Sequence, residues 1–177
     1  MLDPVKPIRD TKLKDFEANV SVNLSGVFNG TKAFIHHVRT REGPGTLVNI
    51  SSGAAAKGYP GWAAYCSSKA GVDRLTECAL LEEQSDISRQ RRGEGGGSGR
   101  GGVLRAYSIA PGVIDTDMQA TIRSASESDF PLKSKFIEIK ANDQFNTPPY
   151  VAQKILEFAL ADGEQTLPVV QRLPNEK

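Results

Sequence analysis

The spacing of apolar residues along the chain predicts three helices. Between residues 12 and 40, most gaps between successive apolar positions are three, four or seven residues, which is the spacing of one helix face. The same spacing predicts a second helix over residues 62–84. A third helix is predicted over residues 148–160, because proline is favoured in the first helical turn and Pro148 stands there.

Short β-branched and apolar runs between these helices predict the strands of a parallel sheet. Residues 46–51 form the first run, and small residues follow it, as is typical after a buried parallel strand. Residues 103–109 form a second run that Pro111 and Gly112 end, and residues 166–171 could add a short third strand. Strands and helices therefore alternate, which predicts an α/β layered domain.

Three segments fall outside this alternation. The first ten residues contain two prolines and mixed charges, and we interpret them as a connection. Residues 115–149 are polar and irregular, and so long a connection after a strand favours a functional lid. Residues 88–102 form a low-complexity insertion rich in arginine and glycine. Because this insertion has no aromatic residues to stack on bases, we interpret it as a flexible surface linker rather than a nucleic-acid-binding segment. A third interpretation is a stretch that was wrongly retained in the reading frame.

Composition narrows the class of protein further. With 177 residues, of which 38% are hydrophobic and 24% charged, the chain is expected to form one domain over residues 1–177. A net charge of +1 provides no global basic field for nucleic acid, and no apolar run approaches the ~20 residues of a membrane-spanning helix. The first residues lack the apolar stretch of a signal peptide, and two cysteines and two histidines are too few for a disulfide framework or a zinc site. The sequence therefore predicts a cytoplasmic protein that uses no metal, no nucleic acid and no membrane.

Tyr65 and Lys69 form the first candidate chemical pair. They stand four residues apart on a predicted helix, so their side chains share one face. A nearby ammonium group lowers the pKa of a phenol, which allows tyrosine to act as a general acid or base near neutral pH. Ser52 follows the first predicted strand, where a hydroxyl can donate a hydrogen bond to a substrate carbonyl. Taken alone, the Tyr65–Lys69 pair is also typical of a solvated helix face. Ser52 alone is also typical of a turn at the end of a strand.

Two further features interrupt regular elements. Asn23 lies in an apolar stretch of the first predicted helix, where asparagine is unfavourable, so it indicates either a local break with a function or an exposed side chain. The Pro-Gly pair at 111–112 forces a sharp turn after the second strand. That turn could present the backbone of Val113 and Ile114, and the hydroxyl of Thr116, to a ligand with an amide and phosphates; it could also be a plain strand-to-loop turn.

Taken together, the order and spacing of these features resemble the short-chain dehydrogenase/reductase family. Asn23 comes first, then Ile-Ser-Ser ending at Ser52, then Tyr-x-x-x-Lys at 65–69, then Pro-Gly-x-Ile-x-Thr at 111–116. The resemblance covers residues 12–120, and the segment after the Pro-Gly turn is most similar to sepiapterin reductases and to benzil-reductase-like microbial members.

The resemblance implies an NAD(P)H-dependent carbonyl reductase or alcohol dehydrogenase, which reduces the ketone or aldehyde group of a small molecule by hydride transfer. Tyr65 would protonate the carbonyl oxygen, and Lys69 would lower the pKa of Tyr65 and hold the nicotinamide ribose. Ser52 would orient the carbonyl, and Asn23 would hold a water molecule of the proton relay. NADP(H) is favoured over NAD(H). The residues implied to bind the cofactor are Asn23, Tyr65, Lys69, Pro111, Gly112, Val113, Ile114 and Thr116.

The resemblance also implies a partial Rossmann-like fold, with a doubly wound parallel sheet. In the family's strand order 3-2-1-4-5-6-7, the chain retains strands 5, 6 and 7, and no Thr-Gly-x-x-x-Gly-x-Gly turn precedes Asn23. We therefore expect a truncated domain that lacks the adenosine side of the cofactor site and the residue that selects NAD or NADP. Its first strand is expected to have an exposed apolar edge. Residues 167–174 lack the acidic residue with which sepiapterin reductases hold the pterin, which argues against that substrate.

Two hypotheses follow for the function. The first is a carbonyl-reducing enzyme, and the second is a catalytically inactive relative that serves as a dimerisation or interaction module. In the family, the two long helices commonly pack against their copies. A homodimer through the helices near residues 12–40 and 62–84 is therefore expected under either hypothesis.

Overall fold

The computed structural model describes residues 1–92, 103–161 and 165–176 of the chain. A π-helical turn, Ser21–Ser25, joins the first two helices, and short 3-10 turns occupy Ile8–Asp10 and Gly53–Ala55. In chain order, the regular elements of these residues are α1 (Leu13–Val20), α2 (Gly26–Arg39), β1 (Gly45–Ile50), α3 (Ala63–Arg91), β2 (Leu104–Ala110), α4 (Asp117–Ser124), α5 (Lys133–Ala141), α6 (Pro148–Ala159) and β3 (Val170–Arg172).

The strands form a parallel sheet in the order β1-β2-β3. Leu47 of β1 lies opposite Ala106 of β2, and Ile109 of β2 lies opposite Gln171 of β3. Every residue of β2 is buried, because this central strand has neighbours on both sides and helices on both faces. Five of its seven residues are apolar, as such burial requires, and the buried Ser108 donates a hydrogen bond to Asp73 at 2.6 Å.

Helices cover the two faces of the sheet. Successive side chains of a strand point to opposite faces, so neighbouring residues of β2 meet different helices. Ala106 shares a buried cluster with Leu80 of α3. Tyr107, the next residue, contacts Phe158 of α6 with 5.3 Å between ring centroids. The predicted α/β class with a partial Rossmann-like parallel sheet is therefore confirmed.

The first predicted helix is broken at Asn23, as the polar residue in its apolar stretch indicated. The π turn Ser21–Ser25 lies between α1 and α2, and Asn23 at its centre is buried. Such turns insert an extra residue into the hydrogen-bond ladder and often occur at functional sites.

Residues 115–149 contain two helices, so the prediction of an irregular connection was wrong. Ile122 of α4 and Phe136 of α5 join the fully buried Phe130 in one cluster around Trp62. The rings of Phe130 and Trp62 stack with 4.6 Å between their centroids. These helices are stabilised by contacts with a distant segment of the chain; α4 is amphipathic but only eight residues long, and α5 has no periodic apolar stripe.

The predicted bounds of two elements also require correction. Helix α3 ends at Arg91, so residues 88–91 are helical and do not belong to a linker. The remainder of the predicted low-complexity insertion, residues 93–102, lies outside the described residues. Strand β3 begins at Val170 and ends at Arg172, later than residues 166–171.

Two kinds of feature are not found in the described ranges. None of their helices has the length and apolar character needed to cross a bilayer. The same residues contain no group of three or more His, Cys, Asp or Glu side chains that could hold a metal ion.

Candidate active site

A cleft of 270 Å³ lies at the carboxyl ends of β1 and β2. Ligands of parallel α/β sheets bind at this edge, because the loops that follow the strands diverge there. The cleft brings together site residues predicted from three separate segments of the sequence. They are Ser52, Tyr65, Lys69, Pro111, Gly112, Val113, Ile114 and Thr116. Asn23 is not among the lining residues.

Ser52 and Tyr65 present their hydroxyl groups to each other in this cleft. Ser52 precedes the 3-10 turn Gly53–Ala55, and its Oγ accepts the backbone N–H of Ala54 at 3.1 Å, which orients the side chain. Tyr65 lies in the first turn of α3 and is 7% exposed. Both side chains line the cleft, and Ser52 is near enough to the phenol to lower its pKa by hydrogen bonding to the phenolate. Two hydroxyls placed in this way can both donate to a carbonyl oxygen beside them.

Burial dominates the pKa of Tyr65. It raises the pKa above the ordinary value, because a charged phenolate is unfavourable away from water, and the hydrogen bond with Ser52 acts in the opposite direction. The sequence predicts that Lys69 lowers this pKa. In this structure the net direction is upward.

The Lys69 ammonium is directed at the backbone of β1. Its Nζ donates to the carbonyl oxygen of Ile50 at 2.8 Å and lies 5.8 Å from the centroid of the Tyr65 ring. Burial lowers the pKa of Lys69, while the carboxylate of Asp73 raises it. The predicted pair therefore does share one face of α3, but the cation finds its hydrogen-bond acceptor at the end of the strand.

Asn23 lies behind the cleft. Its Nδ2 donates to Asn19 Oδ1 at 3.0 Å, to Ser68 Oγ at 3.3 Å and to the carbonyl oxygen of Met1 at 2.7 Å. Ser68 Oγ in turn donates to Asn19 Oδ1 at 3.0 Å. Ser68 belongs to the turn of α3 that carries the tyrosine–lysine pair, so this buried network connects the π turn to the cleft. The water-holding role of Asn23 stays a prediction.

Asn146 holds the turn that follows β2, and no pattern in the sequence points to it. The Nδ2 of Asn146 donates to the carbonyl oxygen of Pro111 at 2.9 Å. Its backbone N–H donates to the carbonyl oxygen of Val113 at 2.9 Å. Gly112 has a φ of 82°, and a Cβ there would lie 2.5 Å from Asn146 Nδ2. Only glycine fits this position. The backbone of Ile114 makes no hydrogen bond within the described part of the chain, so its peptide groups are available to a ligand.

Further residues of the cleft lining, three of them aromatic, are not predicted by the sequence patterns. The one sequence signal is the position of Trp62, three residues before Tyr65. The other residues come from the loop after β1, from α4 and α5, and from β3. The additional lining residues are Tyr59, Trp62, Gln119, Phe136 and Arg172.

Comparison with known proteins assigns the chain to a family. Residues 2–127 match the short chain dehydrogenase family, so the chain belongs to it, as the residues predicted. The chain is 35% identical over 152 residues to benzil reductase ((S)-benzoin forming) of Bacillus cereus, with 86% of this chain and 55% of that protein covered. It is 34% identical over 121 residues to sepiapterin reductase of Mus musculus, with 68% of this chain and 39% of that protein covered.

Solved structures agree with this assignment. The crystal structure of the KRED1-Pglu enzyme matches with a TM-score of 0.78 and 27% sequence identity, over 97% of this chain and 64% of that one. The chain therefore spans 55% of the Bacillus cereus relative and 64% of the solved enzyme.

The cleft fits the nicotinamide end of a dinucleotide cofactor. Ile114 offers unpaired peptide groups, and the exposed Thr116 makes no side-chain capping bond at the start of α4. Ser51 Oγ is buried in the same wall and has no hydrogen-bond partner among the described residues. Together with the Lys69 ammonium, these donors and acceptors match a carboxamide and ribose hydroxyls.

Proposed function

We propose that this chain carries the carbonyl-reducing site of an NAD(P)H-dependent oxidoreductase, which converts a ketone or an aldehyde of a small molecule to an alcohol. The observation that carries the proposal is that one cleft is lined by Ser52 and Tyr65, by Lys69 and by the turn at 111–116. Reduction of a carbonyl needs hydrogen-bond donors and a proton source at its oxygen, and these hydroxyls supply both.

Tyr65 is the proposed proton donor. As negative charge develops on the carbonyl oxygen, Ser52 and Tyr65 donate hydrogen bonds to it, and the phenolic proton of Tyr65 moves to that oxygen. A tyrosine phenol is already neutral near pH 7, and burial raises the pKa of Tyr65 further, so Tyr65 holds the proton that a general acid gives up. Lys69, 5.8 Å from the ring centroid, stabilises the phenolate that remains. A nicotinamide cofactor, when bound, supplies the hydride.

The proposal also assigns the residues that hold the cofactor. Lys69 binds the ribose hydroxyls, the peptide groups of Ile114 bind the carboxamide, and Thr116 lies on the phosphate side. We favour NADP(H) over NAD(H), as the resemblance implies. Asn23 acts from behind the cleft, through the network that it forms with Ser68.

The experiment is a reduction assay with NADPH and with NADH, on 1-phenyl-1,2-propanedione as carbonyl substrate. It uses the chain alone and a hybrid in which the part of Bacillus cereus benzil reductase that precedes the matched region is joined to this chain. We expect the hybrid to consume cofactor, and the substitution Tyr65→Phe to lower its rate by roughly 10²–10⁴. Tyr150→Phe on α6, outside the cleft, is the matched control and should leave the rate unchanged. A Tyr65→Phe hybrid that works at the parent rate would overturn the proposal.

A second candidate function is the non-catalytic dimerisation module. A groove of 290 Å³ between α2 and α3 would be the interface of such a module, because Phe28 at the groove is 48% exposed and Lys32 and Glu82 lie beside it with opposite charges. A copy related by a two-fold axis would cover the aromatic ring and could pair these charges. Sedimentation equilibrium distinguishes the outcomes: Phe28→Asp should convert a dimer to a monomer, whereas Leu160→Asp at the exposed end of α6 should not. A monomeric parent chain would exclude this candidate.

A further inference from the structure

The proposed chemistry leaves one charged side chain of the cleft without a role. Lys69 and Arg172 are the charged side chains that line the cleft, and no aspartate or glutamate is among the lining residues that the structure describes. Lys69 donates to the carbonyl oxygen of Ile50 and interacts with the carboxylate of Asp73. The Arg172 guanidinium has no hydrogen bond or ion pair within the described part of the chain. The cleft therefore carries a positive charge that no residue of its lining balances.

The guanidinium of Arg172 lies beside the residue that follows Ser52. Arg172 is the last residue of β3, at the carboxyl edge of the sheet. A Cβ built on Gly53 would lie 3.7 Å from Arg172 Nη1 and 3.9 Å from both Cζ and Nη2. These nearly equal distances show that the flat side of the guanidinium faces Gly53. Its N–H groups lie in the plane of the guanidinium and are left to donate to a ligand.

The place of Arg172 in the sheet favours the substrate over the cofactor as the source of a bound anion. Strand β3 is the edge of the sheet opposite to β1. The strands that the family resemblance implies to be missing, with their pyrophosphate turn, would continue the sheet beyond β1. A guanidinium binds a carboxylate through two parallel hydrogen bonds as well as by charge. A carboxylate on the substrate is therefore the partner that fits this position.

We propose that Arg172 is a specificity-determining residue that binds a carboxylate of the substrate, so that the substrate class is an oxo acid rather than a neutral ketone or aldehyde. This inference rests on the proposed function, because Ser52 and Tyr65 then hold the reacting oxygen of the same molecule. Arg172 is the only charged residue of segment 167–174, which agrees with a negatively charged substrate. Apolar residues of the lining strengthen the attraction, because they keep water away from one side of the ion pair.

Oxo acids and their methyl esters test this assignment, because esterification removes the charge and keeps the rest of the molecule. The acids are phenylglyoxylate, whose carboxylate adjoins the carbonyl, and 3-benzoylpropionate, in which two methylene groups separate the two. Trp62 is the only tryptophan of the chain and lines the cleft, so quenching of its fluorescence reports binding without any turnover. Titration of free N-acetyltryptophanamide corrects for absorption by the ligands. We expect at least one acid to bind the 177-residue chain about 10-fold more tightly than its ester.

The variant Arg172→Met keeps an unbranched side chain without charge, so it should lower this affinity ratio to below about two. The matched control is Arg41→Met, which changes the net charge equally. Arg41 is exposed and precedes the amino end of β1, on the side of the sheet away from the cleft, so this variant should keep the parent ratio. Near-ultraviolet circular dichroism checks that each variant is folded. If Arg172→Met does not fold, Arg172→Gln replaces it in the same titrations.

Reduced nicotinamide mononucleotide distinguishes a substrate carboxylate from a cofactor phosphate. Calorimetry should give the same affinity for this mononucleotide in the parent chain and in Arg172→Met. If Arg172→Met weakens binding of the mononucleotide and leaves the acid-to-ester ratio unchanged, Arg172 binds a cofactor phosphate and the assignment is overturned.

The remaining outcomes separate this inference from the function on which it rests. Equal affinities of acid and ester in the parent chain for both pairs, an unchanged ratio in the Arg172 variant, or no saturable quenching by either acid would overturn the assignment of Arg172. If the ratio depends on Arg172 but the Tyr65→Phe hybrid still reduces 1-phenyl-1,2-propanedione at the parent rate, the assignment of Arg172 stands and the proposed function fails.

Discussion

At the scale of single residues, the chemistry of the cleft depends on a competition at Tyr65. Burial favours the neutral phenol and raises its pKa, whereas the hydrogen bond with Ser52 stabilises the phenolate. A proton donor needs both influences. It must hold its proton before the reaction, and its conjugate base must be stabilised afterwards.

The variant Ser52→Ala separates the two influences. It removes the hydrogen bond and leaves Tyr65 buried, so we expect the pKa of Tyr65 to rise further and its tyrosinate to form at a higher pH than in the parent chain. Spectrophotometric titration of tyrosinate measures the pKa of Tyr65. Subtraction of a Tyr65→Phe titration removes the contribution of the three other tyrosines and leaves the signal of Tyr65. A Tyr65 pKa that is unchanged or lower in Ser52→Ala would contradict the role given to this hydrogen bond.

Spacing along the chain predicts which residues of the site share a face, but not every partner that they find. A separation of four residues places Tyr65 and Lys69 on one side of α3. The acceptor of Lys69 is the carbonyl oxygen of Ile50, which only tertiary packing brings near. Asn146, which holds the turn after β2, comes from a segment without a local motif, so no reasoning from neighbours in the sequence could identify it.

At the scale of elements, α4 and α5 depend on their contact with Trp62. Phe130, between these helices, is fully buried and stacks on that ring. We expect Phe130→Ala to lower the free energy of unfolding by about 3–5 kcal/mol, because it removes a large buried ring and leaves a cavity. The exposed Ile137→Ala on α5 is the control and should change it by less than about 0.5 kcal/mol. Urea denaturation measures both, and a small effect of Phe130→Ala would show that the helices do not depend on this contact.

Elements with a strong local pattern are predictable from this sequence. The β-branched runs at 46–51 and 103–109 correspond to Gly45–Ile50 and Leu104–Ala110, and the helical stripe at 148–160 to Pro148–Ala159. Helix α5 has no comparable pattern and α4 has one over only eight residues, and both pack against aromatic residues far away in the sequence. The spacing of apolar residues reveals an element that is amphipathic by itself. It does not reveal an element that contacts with distant residues stabilise.

At the scale of the whole molecule, one edge of the sheet is open among the described residues. Strand β1 pairs with β2 alone, and Ile50 at its end is 44% exposed. The unpaired edge expected for this strand is therefore present among the described residues, but of its apolar side chains only that of Ile50 is exposed. An unpaired edge of this kind offers backbone groups to a further strand. The chain matches 64% of the solved enzyme. At this scale, the property to predict is therefore the affinity of the 177 residues for a nicotinamide cofactor.

The last prediction concerns that affinity. In the proposed assignment, Lys69, Ile114 and Thr116 bind only the nicotinamide side of a cofactor, and no glycine-rich pyrophosphate turn precedes Asn23 in the 177 residues. Each charge-assisted hydrogen bond is worth about 1.5–3 kcal/mol, so the lack of two or more weakens binding by at least roughly two to three orders of magnitude. We therefore expect calorimetry to show millimolar affinity at best for NADPH and NADH, and no steady carbonyl reduction by the chain alone.

Nicotinamide mononucleotide provides the control for this expectation, because it keeps the nicotinamide ribose and one phosphate but has no adenosine. If the chain contacts only the nicotinamide side, the reduced mononucleotide should bind about as tightly as NADH, since the adenosine half would gain no contacts. Micromolar binding of NADPH or NADH, together with much weaker binding of the mononucleotide, would mean that the chain does hold the adenosine half. In that case the 177 residues would form a working cofactor site by themselves, and steady turnover without a grafted segment should follow.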